Sequence, residues 1–139
     1  IIHTPKYNKY ERESREKARE LLSLLGLSKW EKEYVGSLSY GMQKRIEFAR
    51  AVIVEPELLL LDEPAAGLNS REAEELMEMI LYTKEKKEFT VILIDHNMKI
   101  MMSSAERILA MEAGRELAVG SPEEIQNDPK VINAYLGGE

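Results

Sequence analysis

The stretch Leu58–Leu59–Leu60–Leu61–Asp62–Glu63–Pro64 decides how this chain is read. Four consecutive apolar residues without polar alternation predict a strand buried on both faces, as in a parallel sheet covered by helices. Two carboxylates follow at its C-terminal end, the edge where open α/β sheets place their ligands. Pro64 cannot donate to a ladder, so the strand is expected to stop there. Two readings stand open on these seven residues. Either Asp62 holds a magnesium ion while Glu63 activates a nucleophilic water, or the two acids mark the exit of a buried strand into solvent.

Downstream, Ala65–Ala66–Gly67–Leu68–Asn69–Ser70 is a loop of small residues. Asn69 or Ser70 is expected to cap a helix with Glu72 in its first turn and Ala73, Leu76, Met77 and Ile80 on its inner face. Thr90–Val91–Ile92–Leu93–Ile94 is a second unbroken apolar strand, ending at Asp95–His96–Asn97. Strand, helix and strand with polar residues at the same strand ends predict a right-handed βαβ crossover with a shared ligand edge. His96 is read as facing a ligand, with capping or packing as the alternative.

Upstream, Leu38–Ser39–Tyr40–Gly41–Met42–Gln43 leads into a helix with Met42, Ile46, Ala49 and Ile53 on one face, ending before Pro56. Ser39 stands at the N-cap position. Its hydroxyl, the free amides of the first turn and the helix dipole together make a place for an anion. Gly41, having no Cβ, would let the anion approach the backbone. Lys44 and Arg45 are either solvated or reinforce a phosphate site. An earlier helix is expected from Arg12, with Ala18, Leu21, Leu22 and Leu25 on one face and Gly26 as its stop. Residues 1–11 read as loop and His3 as a surface histidine. Trp30 is expected to anchor packing rather than to stack on a ligand base.

In the last third, Met98, Met101, Met102 and Ala105 give a short helix face of the kind that usually joins a core. Arg107–Met111 and Glu116–Val119 read as a hairpin turning through Gly114. Ser121–Pro122–Glu123–Glu124 is a capping box with proline in the first turn. Pro129 breaks that helix, and Val131, Ile132, Tyr135 and Leu136 suit a final docking turn.

Composition bounds these readings. A chain of 139 residues, 44% hydrophobic and 32% charged, is long enough for a real core. Its net charge of −6 argues against nucleic-acid binding through a basic face. Without cysteine, disulfides and thiolate metal sites are excluded. The first residues are Ile1–Ile2 rather than methionine, and the chain reads as a piece of something longer.

In order, the chain carries LSYGMQ, LLLLDEP, AAGLN and DHNM. This succession resembles the second half of an ATP-binding cassette ATPase: signature motif, Walker B, D-loop and switch histidine. AAGLN, the DHNM turn and the terminal VINAYLG are similar to ATPase subunits of branched-chain amino acid importers. The resemblance implies an α/β P-loop NTPase-type parallel sheet. It would be represented by its C-terminal half without the phosphate-loop strand, with part of the helical subdomain in residues 1–55 and the ATPase core in 56–139. It implies ATP and Mg²⁺ as cofactors, with Asp62 orienting the metal, Glu63 as general base or water-orienting carboxylate, and His96 at the γ-phosphate. Ser39, Gly41 and Gln43 would serve nucleotide held by the opposite ATPase subunit in a head-to-tail dimer, and Asn69 with the small residues before it would carry signals across it. Membrane permease subunits would be the other partners, with the protein peripheral at the cytoplasmic face of the membrane. Tyr40 stands where the signature usually has its first glycine, and Asn69 where aspartate is common. Met42, Asp95 and Asn97 also depart from the usual pattern. No GxxxxGK[ST] phosphate loop and no glutamine loop occur in the chain. It is therefore expected to begin inside the helical subdomain, and a non-catalytic interaction module or a non-transport cassette ATPase is the alternative.

Overall fold

The computed structural model describes residues 5–135, so His3 and Leu136 lie outside the described residues. The chain forms two compact units that divide between Ile92 and Leu93.

The first unit opens with helix α1 (Pro5–Leu24), seven residues earlier than the apolar pattern alone indicates. Residues 5–11 are thus helical, not loop. Proline is tolerated in a first helical turn because its missing amide has no partner there. The next turns are laced by i,i+4 pairs, Lys9 with Glu13, Glu11 with Arg15 and Arg12 with Glu16, solvent-screened contacts that lend the helix modest support. Gly26 ends α1 as expected: at φ +68°, its amide donates to Ser23 and the Leu27 amide reaches back to the Leu22 carbonyl at 2.7 Å. That is the Schellman arrangement, and it buries Leu27 to 1% exposure. Trp30 is half-buried in the 3₁₀ turn Ser28–Trp30, with the Lys29 ammonium 3.9 Å above its ring.

Helix α2 (Tyr40–Val52) is capped by Ser39 and buries Gly41, Phe48, Ala49 and Val52. The buried stripe is rotated from the expected one, since Met42, Ile46 and Ile53 are only half-buried and Phe48 and Val52 sit inside. Strand β1 (Leu58–Asp62) leads to helix α3 (Ser70–Lys87), whose Ala73, Leu76, Met77 and Ile80 are all buried. Strand β2 (Thr90–Ile94) hydrogen-bonds beside β1, so strand, helix and strand form the expected crossover unit of a parallel sheet. The expectation of cover on both faces is not met among the described residues. Leu59 is buried, but Leu58, Leu60, Ile92 and Ile94 stay 49%, 67%, 49% and 61% exposed. Alternate strand positions point to opposite faces, so one apolar face of each strand is open.

The second unit holds α4 (Met98–Ser104), the hairpin β3 (Ile108–Glu112) and β4 (Arg115–Gly120), α5 (Pro122–Asn127) and α6 (Pro129–Tyr135). Ala113 and Gly114 both have positive φ in the two-residue hairpin loop, the combination a type I′ turn requires. The core is Ile108, Ala110, Ile125 and Val131, with Met98, Met101, Met102, Ala105, Leu117 and Ala118 against it. The methionine stripe is therefore core. Ser121 and Glu124 form the full capping box. Pro129 opens α6 as well as closing off α5. Val131 is buried, while Ile132 remains 38% exposed and Tyr135 is held by its hydroxyl donating to the Met111 carbonyl at 2.7 Å.

Candidate functional site

In the first unit, two turns meet: the start of α2 and the loop between β1 and α3. Ser39 is exposed at the head of α2, and its Oγ accepts from the Met42 amide at 3.4 Å. Gln43 braces the same turn from within, its Nε2 donating to the Leu38 carbonyl at 2.9 Å. Ser39 and Gln43 are thus both engaged in shaping the turn that presents the free amides of the helix end.

Gly41 is buried, and a Cβ built on it would lie 2.8 Å from Glu72 Oε1. The space beside Gly41 is therefore already used by a carboxylate of the same chain. A Cβ here would push the Glu72 carboxylate aside, so the absence of one lets Glu72 lie against the first turn of α2. Glu72 belongs to the capping box of α3: its amide donates to Asn69 Oδ1 at 3.0 Å, and its Oε2 accepts from the Asn69 amide and Nδ2 at 3.2 and 2.7 Å. Asn69, not Ser70, is the cap.

Asp62 is the last residue of β1 and is exposed. Glu63 follows with φ +43°, in the left-handed region that non-glycine residues rarely occupy. The chain then turns tightly: the Ala66 amide donates to the Glu63 carbonyl at 3.0 Å and the Leu68 amide to that of Ala65 at 3.1 Å. The acidic pair is thus followed by a closed, small-residue turn whose geometry starts at Glu63. A magnesium ion keeps several waters and takes only one or two protein carboxylates beside substrate phosphates. A single exposed Asp62 at a strand end suits that donor set. Among the described residues no cluster of three or more His, Asp or Glu side chains is gathered for a metal.

Below this turn, α2 and α3 are tied by charge. Arg45 and Arg71 both donate to Glu75, with Arg71 Nε at 2.9 Å. Their hydrogen bonds, Arg71 first and Arg45 second, hold the Glu75 carboxyl below its usual pKa. Arg45 is accordingly a structural brace here. Lys44 pairs with Glu47 at 3.4 Å and stands 5.6 Å from the Tyr40 ring centroid.

His96 lies in the second unit, at the end of β2. Asp95 Oδ1 accepts from the Asn97 amide at 2.8 Å, and Asn97 Oδ1 caps α4 through the Ile100 amide at 3.3 Å. The capping role falls to Asn97, and the exposed His96 sits between two residues that fix the turn.

Thus the structure brings Ser39, Gly41 and Gln43 onto one turn and links Gly41 to Asn69 through Glu72. Tyr40, which the sequence did not single out for the site, and Gly67, one of the small residues before Asn69, complete the junction. The Tyr40 hydroxyl donates to the Ala66 carbonyl at 3.4 Å, and its ring lies 3.0 Å from where a Gly67 Cβ would be. The available signal was Tyr40 itself, a large residue where the resembled signature has glycine.

Comparison with known proteins bears on this arrangement. The "ABC transporter" family model matches residues 2–66. The "Branched-chain amino acid ATP-binding cassette transporter" model matches residues 115–139. The high-affinity branched-chain amino acid transport ATP-binding protein LivG of Salmonella typhimurium is 42% identical over 137 residues, which is 99% of this chain and 54% of that protein. The chain matches the ATP-binding cassette ATPases. The corresponding protein BraF of Pseudomonas aeruginosa is 41% identical over the same share of each chain. A solved ATP-binding cassette of an ABC transporter, in its ADP conformation, superposes with a TM-score of 0.81 at 31% identity, covering 91% of this chain and 51% of that one. The fold is therefore the α/β P-loop NTPase type of the cassettes, and the chain spans about half the length of the relatives it matches.

Proposed function

We propose that the protein carrying this chain is the ATP-hydrolysing subunit of an importer for branched-chain or other amino acids. The observation that carries this reading is the similarity to LivG over 99% of the chain; the match of residues 115–139 to the branched-chain amino acid cassette model adds to it. In this reading residues 1–55 are part of the helical subdomain and residues 56–139 the later half of the ATPase core.

Bound MgATP supplies a metal-neutralised phosphate chain with an activated terminal phosphoryl group. Asp62, at the end of β1, would hold the metal. Glu63, which follows it with a left-handed backbone conformation, would orient the attacking water or accept its proton. His96, held by the Asp95–Asn97 turn, would contact the γ-phosphate. Ser39, Gly41 and Gln43 form the turn offered to nucleotide on a second ATPase subunit, and the loop ending at Asn69 lies at that dimer junction. Phosphoryl transfer is accelerated mainly by positioning and charge stabilisation, and these residues supply both. The protein would act at the cytoplasmic face of the membrane beneath permease subunits; among the described residues no helix is long and apolar enough to cross a membrane.

The test is steady-state ATP hydrolysis by the full-length protein. Glu63→Gln is expected to keep nucleotide binding and lower turnover by roughly 10²–10⁴-fold, the worth of a positioned general base. Parental turnover in that variant would refute the assignment of Glu63.

A further inference from the structure

Tyr40 is 51% exposed, yet its ring is not free of the protein. It covers Gly67 on the side where a Cβ would stand, with Cε1 3.0 Å and Cζ and Oη each 3.6 Å from that position. Gly67 has φ +79°, so it is glycine for two independent reasons: its backbone conformation and the ring laid against it. The Tyr40 hydroxyl reaches one residue further back and donates to the Ala66 carbonyl. The amide of that same Ala66 closes the turn on the Glu63 carbonyl at 3.0 Å. A continuous path of contacts thus runs from the first residue of α2, through Ala66, to Glu63 just past the end of β1. One residue on, the Glu72 carboxylate fills the space beside Gly41 while capping α3 at the loop's far end. The first turn of α2 therefore touches the loop at Ala66 and Gly67, and α3's first turn at Glu72.

We propose that Tyr40 is a positioning residue. It clamps the Glu63–Asn69 loop onto the first turn of α2 and so fixes the direction in which Glu63 is presented. The loop is built of small residues, Ala65, Ala66 and Gly67, and has few side-chain atoms of its own to define its path. A flat aromatic side chain supplies contact area at the cost of only two torsions. A glycine at position 40 would supply none, so the tyrosine makes the signature turn and the loop one mechanical piece. Lys44, one helical turn on and 5.6 Å from the ring centroid, adds a cation to the ring on the helix side.

The inference rests on the reading of Glu63 as the water-orienting group, and its test separates the two. Tyr40→Ala, Tyr40→Phe and Gly67→Ala are compared in the full-length protein by MgATP hydrolysis and by amide exchange at Ala66 and Leu68. Tyr40→Ala is expected to lower kcat between about 10- and 100-fold, the cost of a misplaced reacting group, with KM changed less than about twofold. Exchange at Ala66 and Leu68 should rise about fivefold or more, corresponding to roughly 1 kcal/mol of lost local stability. Tyr40→Phe keeps the ring on Gly67 and should restore kcat to within about threefold. Tyr40→Ala and Gly67→Ala touch the same contact, so their effects on exchange should be less than additive. Unchanged loop exchange in Tyr40→Ala, or a loss expressed in KM alone, would overturn the clamp. If the parent protein hydrolyses no ATP, the functional reading of Glu63 falls, and loop exchange alone decides whether the clamp exists.

Discussion

Replacing Asn69 by alanine should open the first turn of α3 without disturbing the rest of the helix. Asn69 Oδ1 accepts from the Glu72 amide at 3.0 Å, and Nδ2 donates to Glu72 Oε2 at 2.7 Å. Alanine removes both and leaves only the backbone donation from residue 69 to Glu72 Oε2 at 3.2 Å. Loss of such a cap costs about 0.5–2 kcal/mol, typically about 1. The side-chain contact to Glu72 is exposed and adds little. Because the chain forms two compact units, a single melting midpoint would mix two events, and local hydrogen exchange is the cleaner assay. Amides of Glu72 and Ala73 should exchange roughly 5–30-fold faster in Asn69→Ala, the factor that corresponds to 1–2 kcal/mol. Amides around the buried Ile80 should change far less. Asn69→Asp keeps the acceptor for the Glu72 amide but sets a second carboxylate where Nδ2 now meets Glu72. Its effect should be intermediate and should shrink as salt is added. Unaltered exchange at Glu72 and Ala73 in Asn69→Ala would refute the capping-box account of how this loop is held.

Other consequences can be measured as directly. Glu75 has its pKa lowered by Arg71 and Arg45, so its contribution is present above the unfolded carboxylate pKa and is lost as pH falls through the lower folded value; Arg45→Gln should flatten the acid limb of a stability-versus-pH curve. Ile80, 1% exposed, should cost about 2–5 kcal/mol when cut to alanine, seen as a lowered denaturation midpoint of the first unit. Among the described residues β1 and β2 have only each other as sheet neighbours, and Leu60 is 67% exposed. The isolated 139-residue chain should therefore self-associate through open strand edges and apolar face, less so with Leu60→Lys. A monomer at high concentration in sedimentation, with protected amides along Thr90–Ile94, would refute this.

Much of the candidate site was legible in the chain because its signals are local. A serine before a helical run, two acids after four leucines, and a capping-box spacing at Asn69 and Glu72 each depend on neighbours within a few residues. Helix ends at Gly26 and before Pro56, the hairpin turning at Gly114 and the methionine core followed from the same short-range rules, although the structure shortens the expected four-residue connection to two. One failure was also local in origin. Residues 5–11 lack an apolar period, so nothing in that pattern signalled a helix, which the structure shows to begin in a first turn that tolerates proline and to be laced by ion pairs.

What the sequence determined by itself was therefore the inventory: two apolar strands, the helix between them, the capped helix starts and the carboxylates at the strand end. The tertiary structure alone decided which of these touch. Tyr40 and Gly67 are far apart in the chain, as are Gly41 and Glu72, and no periodicity connects either pair; they meet only because α2 packs on α3. That packing set the Glu72 carboxylate beside Gly41 and turned Tyr40 from a departure into a contact. It also decided which apolar strand residues are covered. An unbroken run such as Leu58–Leu61 records that a strand is apolar on both sides, but cover is a property of what lies above and below it. In this chain Leu59 is buried, whereas Leu60, chemically identical and one residue on, remains two-thirds exposed.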